Sequence, residues 1–151
     1  AAYNLVVNCD SYRNYDPTPG SYGGNADGFA AKFQLGPGNV SLSFWPRRVV
    51  GTVSFDRVPA GSEHTCAEAT DNRAYCWGPW ALGAGAVTSS LTPVAVAGGL
   101  FFSQLSAGGA HTCGRTPGAV AYCWGGSAFG ALGDGTLTGH LTPVPVAPPT
   151  P

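Results

Sequence analysis

Apolar positions in this chain come in short runs that are rich in β-branched and aromatic residues. Residues 39–45 alternate apolar with polar side chains, which is typical of a strand covered on one face. Residues 49–55 form a second run, and no segment keeps a 3.6-residue apolar period over the length of a helix. Turn dipeptides separate the runs: Pro37-Gly38, Asp71-Asn72, Pro117-Gly118 and Asp134-Gly135. The pattern predicts an all-β chain built as a propeller, a sandwich or a barrel.

The chain also repeats itself. His-Thr-Cys at 64–66 returns at 111–113, and Ala-Tyr-Cys-Trp-Gly at 74–78 returns at 121–125, both 47 residues later. Leu82 matches Leu132 at a distance of 50 residues, so three residues are inserted before Leu132, and we expect a surface loop there. Self-similarity at such a period is typical of architectures in which each unit buries its apolar face against its neighbours.

The repeat divides the chain into four parts. Residues 47–97 and 98–147 are the two clear units, and residues 148–151 are a proline-rich tail. Residues 1–46 are predicted to be a degenerate β unit that lacks the repeated cysteine pair and begins with an apolar strand. Two or three such units leave apolar ends uncovered, and repeat arrays need a cap or a neighbour there.

Four of the five cysteines fit two hairpins. Cys66 and Cys76 lie symmetrically about one predicted turn, and Cys113 and Cys123 lie symmetrically about another. Strands folded at those turns bring each pair opposite each other with Cβ atoms roughly 4.5–5.5 Å apart, close to disulfide geometry. Since disulfides persist outside the cytosol, two of them predict a secreted or cell-surface protein. Cys9 has no partner in the pattern, so we expect a free thiol or a bond to another subunit.

A metal site is the main alternative for these cysteines. His64, Cys66 and Cys76 offer imidazole and thiolate ligands, but only three donors per unit and no Cys-x-x-Cys pair. Free buried thiols are a further alternative. Disulfides are the favoured interpretation, with no metal or cofactor site, and the histidines are expected to hydrogen-bond a neighbouring turn.

Charge and motifs narrow the function classes. The net charge is −1 at pH 7 and Lys32 is the only lysine, whereas a phosphate-tracking surface needs clustered positive charge. Nucleic acid is therefore not an expected partner. The eight carboxylates are scattered without a pair spaced for general acid–base work, and no phosphate-binding or dinucleotide-binding motif is present. We therefore expect no enzyme and assign no catalytic residue. No apolar run approaches the length of a membrane span.

Several short sequence motifs in residues 102–146 resemble, in their order and spacing, the repeat of a known family. In order they are Phe-x-x-Leu-Ser-Ala-Gly-Gly-x-His-Thr-Cys, Ala-Tyr-Cys-Trp-Gly, Leu-Gly-Asp-Gly-Thr and Leu-Thr-Pro-Val-Pro-Val. They resemble the regulator-of-chromosome-condensation repeat in its cysteine-bearing form, common in secreted bacterial proteins, and residues 55–96 match it less fully. The resemblance implies β-propeller blades of four strands, usually seven to a ring, that serve mainly in protein–protein recognition. Two or three units cannot close such a ring. Residues 14–34 are similar to another bacterial propeller repeat.

Four tryptophans keep a binding role open. Trp77 and Trp124 recur at one position of the unit and are expected to pack in the core. Trp45 and Trp80 do not recur, so they are candidates for ligand contact, and Trp80 in the shortened loop is the first choice. The uncovered ends and the spare Cys9 favour a non-enzymatic extracellular structural or adhesive subunit that assembles with other copies into a filament or closed oligomer. The alternative is a secreted propeller-type binding module that recognises a protein or glycan through its loops.

Overall fold

The computed structural model describes residues 49, 51–62 and 64–149. The predictions for residues 1–46, including those for Cys9 and Trp45, lie outside the described residues. Over the described ranges the chain is all-β, with two four-stranded antiparallel sheets that do not close a ring. This confirms the predicted fold class.

Each sheet is one blade, and its strands keep their chain order. Blade 1 consists of β1 (Phe55–Arg57), β2 (Thr65–Ala69), β3 (Ala74–Ala84) and β4 (Val87–Ala95). Blade 2 consists of β5 (Gln104–Ala107), β6 (His111–Arg115), β7 (Ala121–Gly125) and β8 (His140–Pro145), with a short 3-10 helix (Ala128–Gly130) before β8. The strands lie within the units predicted at 47–97 and 98–147, whose boundaries stay predictions. The strand expected in residues 49–55 begins only at Phe55.

The two cysteine hairpins form as predicted. Cys66 lies directly opposite Cys76 in the β2–β3 pair, and Cys113 lies directly opposite Cys123 in the β6–β7 pair. Both pairs are disulfide-bonded, with 4.1 Å between the Cα atoms in each. The metal interpretation of His64 with two thiolates is therefore wrong, because both sulfur atoms are already in a covalent bond.

The seam between the blades is the larger hydrophobic core. Successive side chains of a strand point to opposite faces, so blade 1 turns its cysteines towards blade 2, and blade 2 turns its tryptophan towards blade 1. The buried residues of the seam are Cys66, Ala74, Cys76 and Leu82 from blade 1, and Phe102, Leu105 and Trp124 from the blade 2 side. The blade 1 disulfide is thus part of the seam that holds the two sheets together.

Blade 1 is also covered on its other face. Trp77 and Ala67 are buried there with Val49, and Phe55 packs against them. The ring of Phe55 lies 5.8 Å from that of Trp77, and Phe102 lies 5.6 Å from Trp124, so the same aromatic pair recurs in both blades. Both repeated tryptophans are fully buried, which confirms the packing role predicted for them.

One glycine lets the blades approach closely. Gly83 has a φ of 66°, and a Cβ atom on it would lie 2.7 Å from Cδ1 of the Trp124 indole. Both the left-handed φ and the close approach to Trp124 require glycine at this position. Main-chain hydrogen bonds also cross the seam, from Phe102 N to Asn72 O at 2.7 Å and from Gly85 N to Leu141 O at 2.9 Å.

The third-to-fourth-strand connection differs between the blades. In blade 1, β3 continues to Ala84 and pairs with β4, which begins at Val87. In blade 2 the same connection is the predicted surface loop, and it contains the 3-10 helix. Trp80 therefore lies in a strand rather than in the shortened loop predicted for it. Shortening the connection brings β3 and β4 close enough to continue pairing.

Candidate binding site at the histidine end of the blades

Strand register places all three histidines at one end of the sheets. His64 directly precedes Thr65, which pairs with Trp77, while Gly125 pairs with both His111 and His140. We call this the histidine end. The turns between β2 and β3 and between β6 and β7 lie at the opposite end, which we call the hairpin end.

His64 joins the two blades through a buried hydrogen bond. Its Nε2 lies 2.7 Å from Oγ1 of Thr112 in β6, and this hydroxyl also lies 3.3 Å from Sγ of Cys66. A disulfide sulfur carries no proton, so all three groups are satisfied when Nε2–H donates to Oγ1 and the hydroxyl donates to sulfur. The sequence predicted a turn as the histidine's partner, but the partner is a strand residue of the next blade.

Burial keeps His64 neutral. The side chain is 1% exposed, and this burial, together with the charge of nearby His111, lowers the His64 pKa from 6.5 to about 4. The imidazole is therefore an uncharged structural group near neutral pH.

His111 holds the equivalent place in blade 2. Its carbonyl oxygen accepts a hydrogen bond from Gly108 N at 2.8 Å, as that of His64 does from Gly61 N. A Cβ on either glycine would lie 2.5 Å from Cε1 of the neighbouring imidazole, so the same close packing is used twice. His111 is nevertheless half-buried, and no hydrogen bond to its ring is formed by the part of the chain that the structure describes.

A pocket of about 270 Å³ opens at the histidine end, at the junction of the blades. It is lined by Ser62, His64, Pro79, Trp80, Gly109 and Ala110. The segments that contribute Ser62 and Gly109 are equivalent in the two repeats, and both residues are exposed. Exposed backbone and a hydroxyl group thus surround one large aromatic side chain.

Trp80 is displayed rather than packed. Its side chain is 65% exposed, and its φ of 64° is in the left-handed region that side-chain-bearing residues rarely adopt. The cause is a bulge: from Pro79 to Ala84 the chain takes five steps, while the paired positions on β4, Ser89 and Val87, are two apart. The sequence-based expectation of an exposed Trp80 is met, by a strand bulge instead of a loop.

Phe129 is a second displayed aromatic at the same end, and the sequence analysis missed it. It is fully exposed, and its φ of 58° is again left-handed. It lies between Gly125 and Leu132, where blade 2 has three more residues than blade 1, and an aromatic residue in that longer segment was the signal that could have identified it.

A polar cluster fixes the loop that carries Phe129. The Asp134 carboxylate accepts hydrogen bonds from Thr136 N at 2.9 Å and from the Thr136 hydroxyl at 3.0 Å, and Nε2 of His140 lies 2.9 Å from it. The backbone N–H of Thr136, more than the other two groups, lowers the Asp134 pKa below 3.8. Ser127 Oγ donates to Thr136 O at 3.3 Å across the loop. The loop is therefore held by its own side chains.

Within the described ranges, the arginine side chains lie at the other end. The three described arginines, Arg57, Arg73 and Arg115, lie at the hairpin end, because Arg57 pairs with Glu68, Arg73 lies in the β2–β3 turn and Arg115 pairs with Ala121. Over the described ranges, no His, Cys, Asp or Glu side chains form a group of three suited to a metal ion. No helix within those ranges is long and apolar enough to cross a membrane.

Solved structures with the same fold are β-propellers. The chain is similar to human WBSCR16 with a TM-score of 0.70 and 23% identity, covering 83% of this chain and 34% of that one. It is similar to Prp20p from Saccharomyces cerevisiae, described with its binding properties to Gsp1p and histones, with a TM-score of 0.67 and 19% identity over 78% of this chain and 32% of that one. Yeast RCC1 (Prp20) with Kap60 bound gives a TM-score of 0.61 and 18% identity over 77% and 32%. These likenesses show that the chain has the β-propeller fold of these RCC1-like structures.

Sequence comparison gives partial relatives of another kind. The chain is 46% identical over 57 residues to pectate lyase L of Dickeya dadantii (strain 3937), which is 36% of this chain and 13% of the relative. It is 49% identical over 41 residues to pectate lyase L of Thermoclostridium stercorarium, which is 27% of this chain and 3% of the relative. The chain thus matches only a small part of these curated relatives and about a third of the propeller structures. No family model matches the chain.

Proposed function

We propose that this chain is an extracellular, non-enzymatic propeller-type binding module that recognises its partner through the histidine end. The observation that carries the proposal is Trp80, a large aromatic side chain held exposed in left-handed backbone beside a pocket. Backbone strain persists only where the surrounding structure enforces it, and it concentrates at functional sites. Exposed tryptophan is among the side chains that contribute most to binding energy.

The scaffold beneath Trp80 is rigid. The blade 1 disulfide, the buried His64–Thr112 hydrogen bond and the close contact of Gly83 with Trp124 all lie under this end. A preorganised contact residue loses little conformational entropy on binding, so it favours affinity. The two disulfides support an extracellular location, where they persist.

The chemistry available at this end favours binding over catalysis. Among the described carboxylates, Asp134 is the one at the histidine end, and its oxygens are engaged by Thr136 and His140. His64 is buried and hydrogen-bonded.

The similar proteins point to two partner classes. Prp20 is described with protein partners, namely Gsp1p, histones and Kap60. The pectate lyases are named for a polysaccharide substrate. Both a protein and a glycan therefore enter the test.

The test compares Trp80→Ala with Phe101→Ala. Phe101 is also an exposed aromatic, but it pairs with Arg73 at the hairpin end, so it is a matched control. Both variants and the parent are screened against a glycan array and candidate protein partners. We expect a ligand whose affinity falls about tenfold or more in Trp80→Ala and is unchanged in Phe101→Ala. Equal losses in both variants, or none in either, would overturn the proposal.

Self-association is the second candidate function, and one observation favours it. In β2 every residue is buried, whereas in β6 the residues that face away from blade 1, His111, Cys113 and Arg115, are partly or fully exposed. The far face of blade 2 therefore offers a surface to another copy. Light scattering over a wide concentration range tests this: mass that rises with concentration and falls in His111→Arg supports assembly through this face. A constant monomer mass would exclude it.

A further inference from the structure

We propose that the ligand of the histidine end is an uncharged polysaccharide chain that lies across both blades and stacks on Trp80 and Phe129. This inference rests on the proposed function and specifies its ligand. It starts from the likeness of the two aromatic residues. Trp80 comes two residues before the buried Leu82, and Phe129 comes three residues before its repeat equivalent, the buried Leu132. Each is exposed and each has a positive φ, 64° and 58°. Each blade thus displays one aromatic side chain in the segment between its repeated Trp-Gly and its buried leucine.

The two aromatics belong to one continuous surface. A Cβ on Gly125 would lie 2.9 Å from Cβ of Ala81, so the residue after Trp80 contacts the end of β7. Gly126 N then donates to Ala110 O at 2.7 Å, and Ala110 lines the pocket beside Trp80. Phe129 follows Gly126 by three residues. A ligand that leaves the pocket over Gly126 therefore reaches the Phe129 loop.

A repeating protein surface suits a repeating ligand. Neighbouring sheets pack about 10 Å apart, so equivalent positions on adjacent blades recur at a regular spacing. The C–H faces of sugar rings stack on aromatic rings, and their hydroxyl groups need hydrogen-bond partners between the stacking points. The segment between the aromatics supplies the Ser62 hydroxyl and the exposed backbone of Gly109 and Gly126. An apolar platform with a few polar groups is the usual composition of a small-molecule subsite.

The positions of the described cationic side chains favour an uncharged ligand at the histidine end. The described arginines are all at the hairpin end, His64 is neutral, and His140 is held by Asp134. An acidic polysaccharide or a phosphate backbone would find no free arginine or lysine among the described residues of the histidine end. The pectate lyases are named for an acidic polymer. The ligand expected at the histidine end differs from that polymer because it is uncharged.

The experiment measures affinity by calorimetry for neutral hexasaccharides of glucose, xylose and mannose, and for hexagalacturonate. The proteins are the parent, Trp80→Ala, Phe129→Ala, Trp80→Phe and Phe101→Ala. We expect a neutral hexasaccharide to bind the parent, and Trp80→Ala and Phe129→Ala each to lose about tenfold in affinity. Trp80→Phe should lose less than Trp80→Ala because it keeps an aromatic ring, and Phe101→Ala should remain within about threefold of the parent. The disaccharide of the same sugar should bind more weakly and lose its sensitivity to Phe129→Ala, because it cannot span both rings.

The contrary outcomes separate the inference from the function beneath it. Stronger binding of hexagalacturonate than of every neutral hexasaccharide overturns the inference. So does a glycan whose affinity depends on Trp80 but not on Phe129, or a protein ligand that is lost in Trp80→Ala when no hexasaccharide binds; both leave the proposed function in place. Binding that is equally reduced in Phe101→Ala overturns both.

Discussion

Blade 1 and blade 2 repeat the same residues in different surroundings. His64 is buried and bonded to Thr112 of the next blade, whereas His111, its equivalent, is half-buried. β2 is buried along its whole length, and β6 is buried only at the positions that face blade 1. The comparison teaches that a repeat residue receives its environment from the following blade. Stability should therefore be concentrated at the seam.

The largest expected effect comes from emptying the seam. Trp124→Ala removes a fully buried indole that packs on Phe102 and Gly83, and we expect it to lower the free energy of unfolding by about 3–5 kcal/mol. Urea unfolding followed by circular dichroism measures the loss. Trp80→Ala is the control, with an expected change within about 0.5 kcal/mol. Equal losses in the two variants would mean that the seam is not the main core.

The next largest expected effect is a pH dependence of stability that comes from the buried His64. The unfolded chain protonates His64 near pH 6.5, whereas the folded chain does so only near the lowered pKa of about 4. Stability is therefore complete above pH 6.5 and falls as the pH drops towards 4, by up to roughly 3 kcal/mol. Unfolding midpoints measured from pH 7 to pH 4 should show this decline.

Two variants make the pH prediction specific. His64→Gln should flatten the decline, and His111→Gln should leave most of it in place, because burial lowers the His64 pKa more than His111 does. The Asp134 carboxylate, whose pKa lies below 3.8, loses its stabilising contribution only below this window. A decline that persists in His64→Gln would assign the titration to another group.

The two disulfides are expected to differ by a smaller amount in their contribution to the free energy of unfolding. Each closes a loop between residues ten apart and is expected to contribute about 2–3 kcal/mol. Cys66→Ala with Cys76→Ala should cost more than Cys113→Ala with Cys123→Ala, because the first pair also leaves a cavity in the seam. Denaturant titration of the two double variants measures the difference. The reverse order would contradict the contrast between the blades.

The smallest expected effect is the loss of stability when a side chain is added at Gly83. Gly83→Ala combines backbone strain with an overlap on Trp124, and we expect a loss of about 2 kcal/mol. Gly99→Ala is the matched control, since its φ is also positive, at 62°, but no atom lies within 4 Å of the added Cβ. Thermal unfolding should place the Gly99 variant closer to the parent. If the two variants lose equally, strain alone limits this position.

The features that depend on the local spacing of residues could be predicted from the sequence. The disulfides followed from cysteines placed symmetrically about turns, and the packing of Trp77 and Trp124 followed from their recurrence. The strand position of Trp80 could not be read in this way, because it depends on how far β3 and β4 continue to pair.

Contacts between blades were beyond the same reasoning. The residues of the His64–Thr112 bond are 48 apart in sequence, and no local pattern marks the threonine as the partner. Phe129 lies in a segment that the sequence shows to be longer in blade 2, but no local pattern marks its left-handed backbone conformation.

The location of the two disulfides also fixes the order in which a reductant can reach them. Thiol–disulfide exchange requires a thiolate to approach a sulfur atom in line with the bond, so its rate follows access. Cys66 and Cys76 are completely buried in the seam, beneath Thr112, whereas Cys113 is partly exposed on the far face of blade 2. A mild reductant should open the disulfide of blade 2 while that of blade 1 stays intact, so blade 2 can lose its internal cross-link while the seam between the blades keeps its packing.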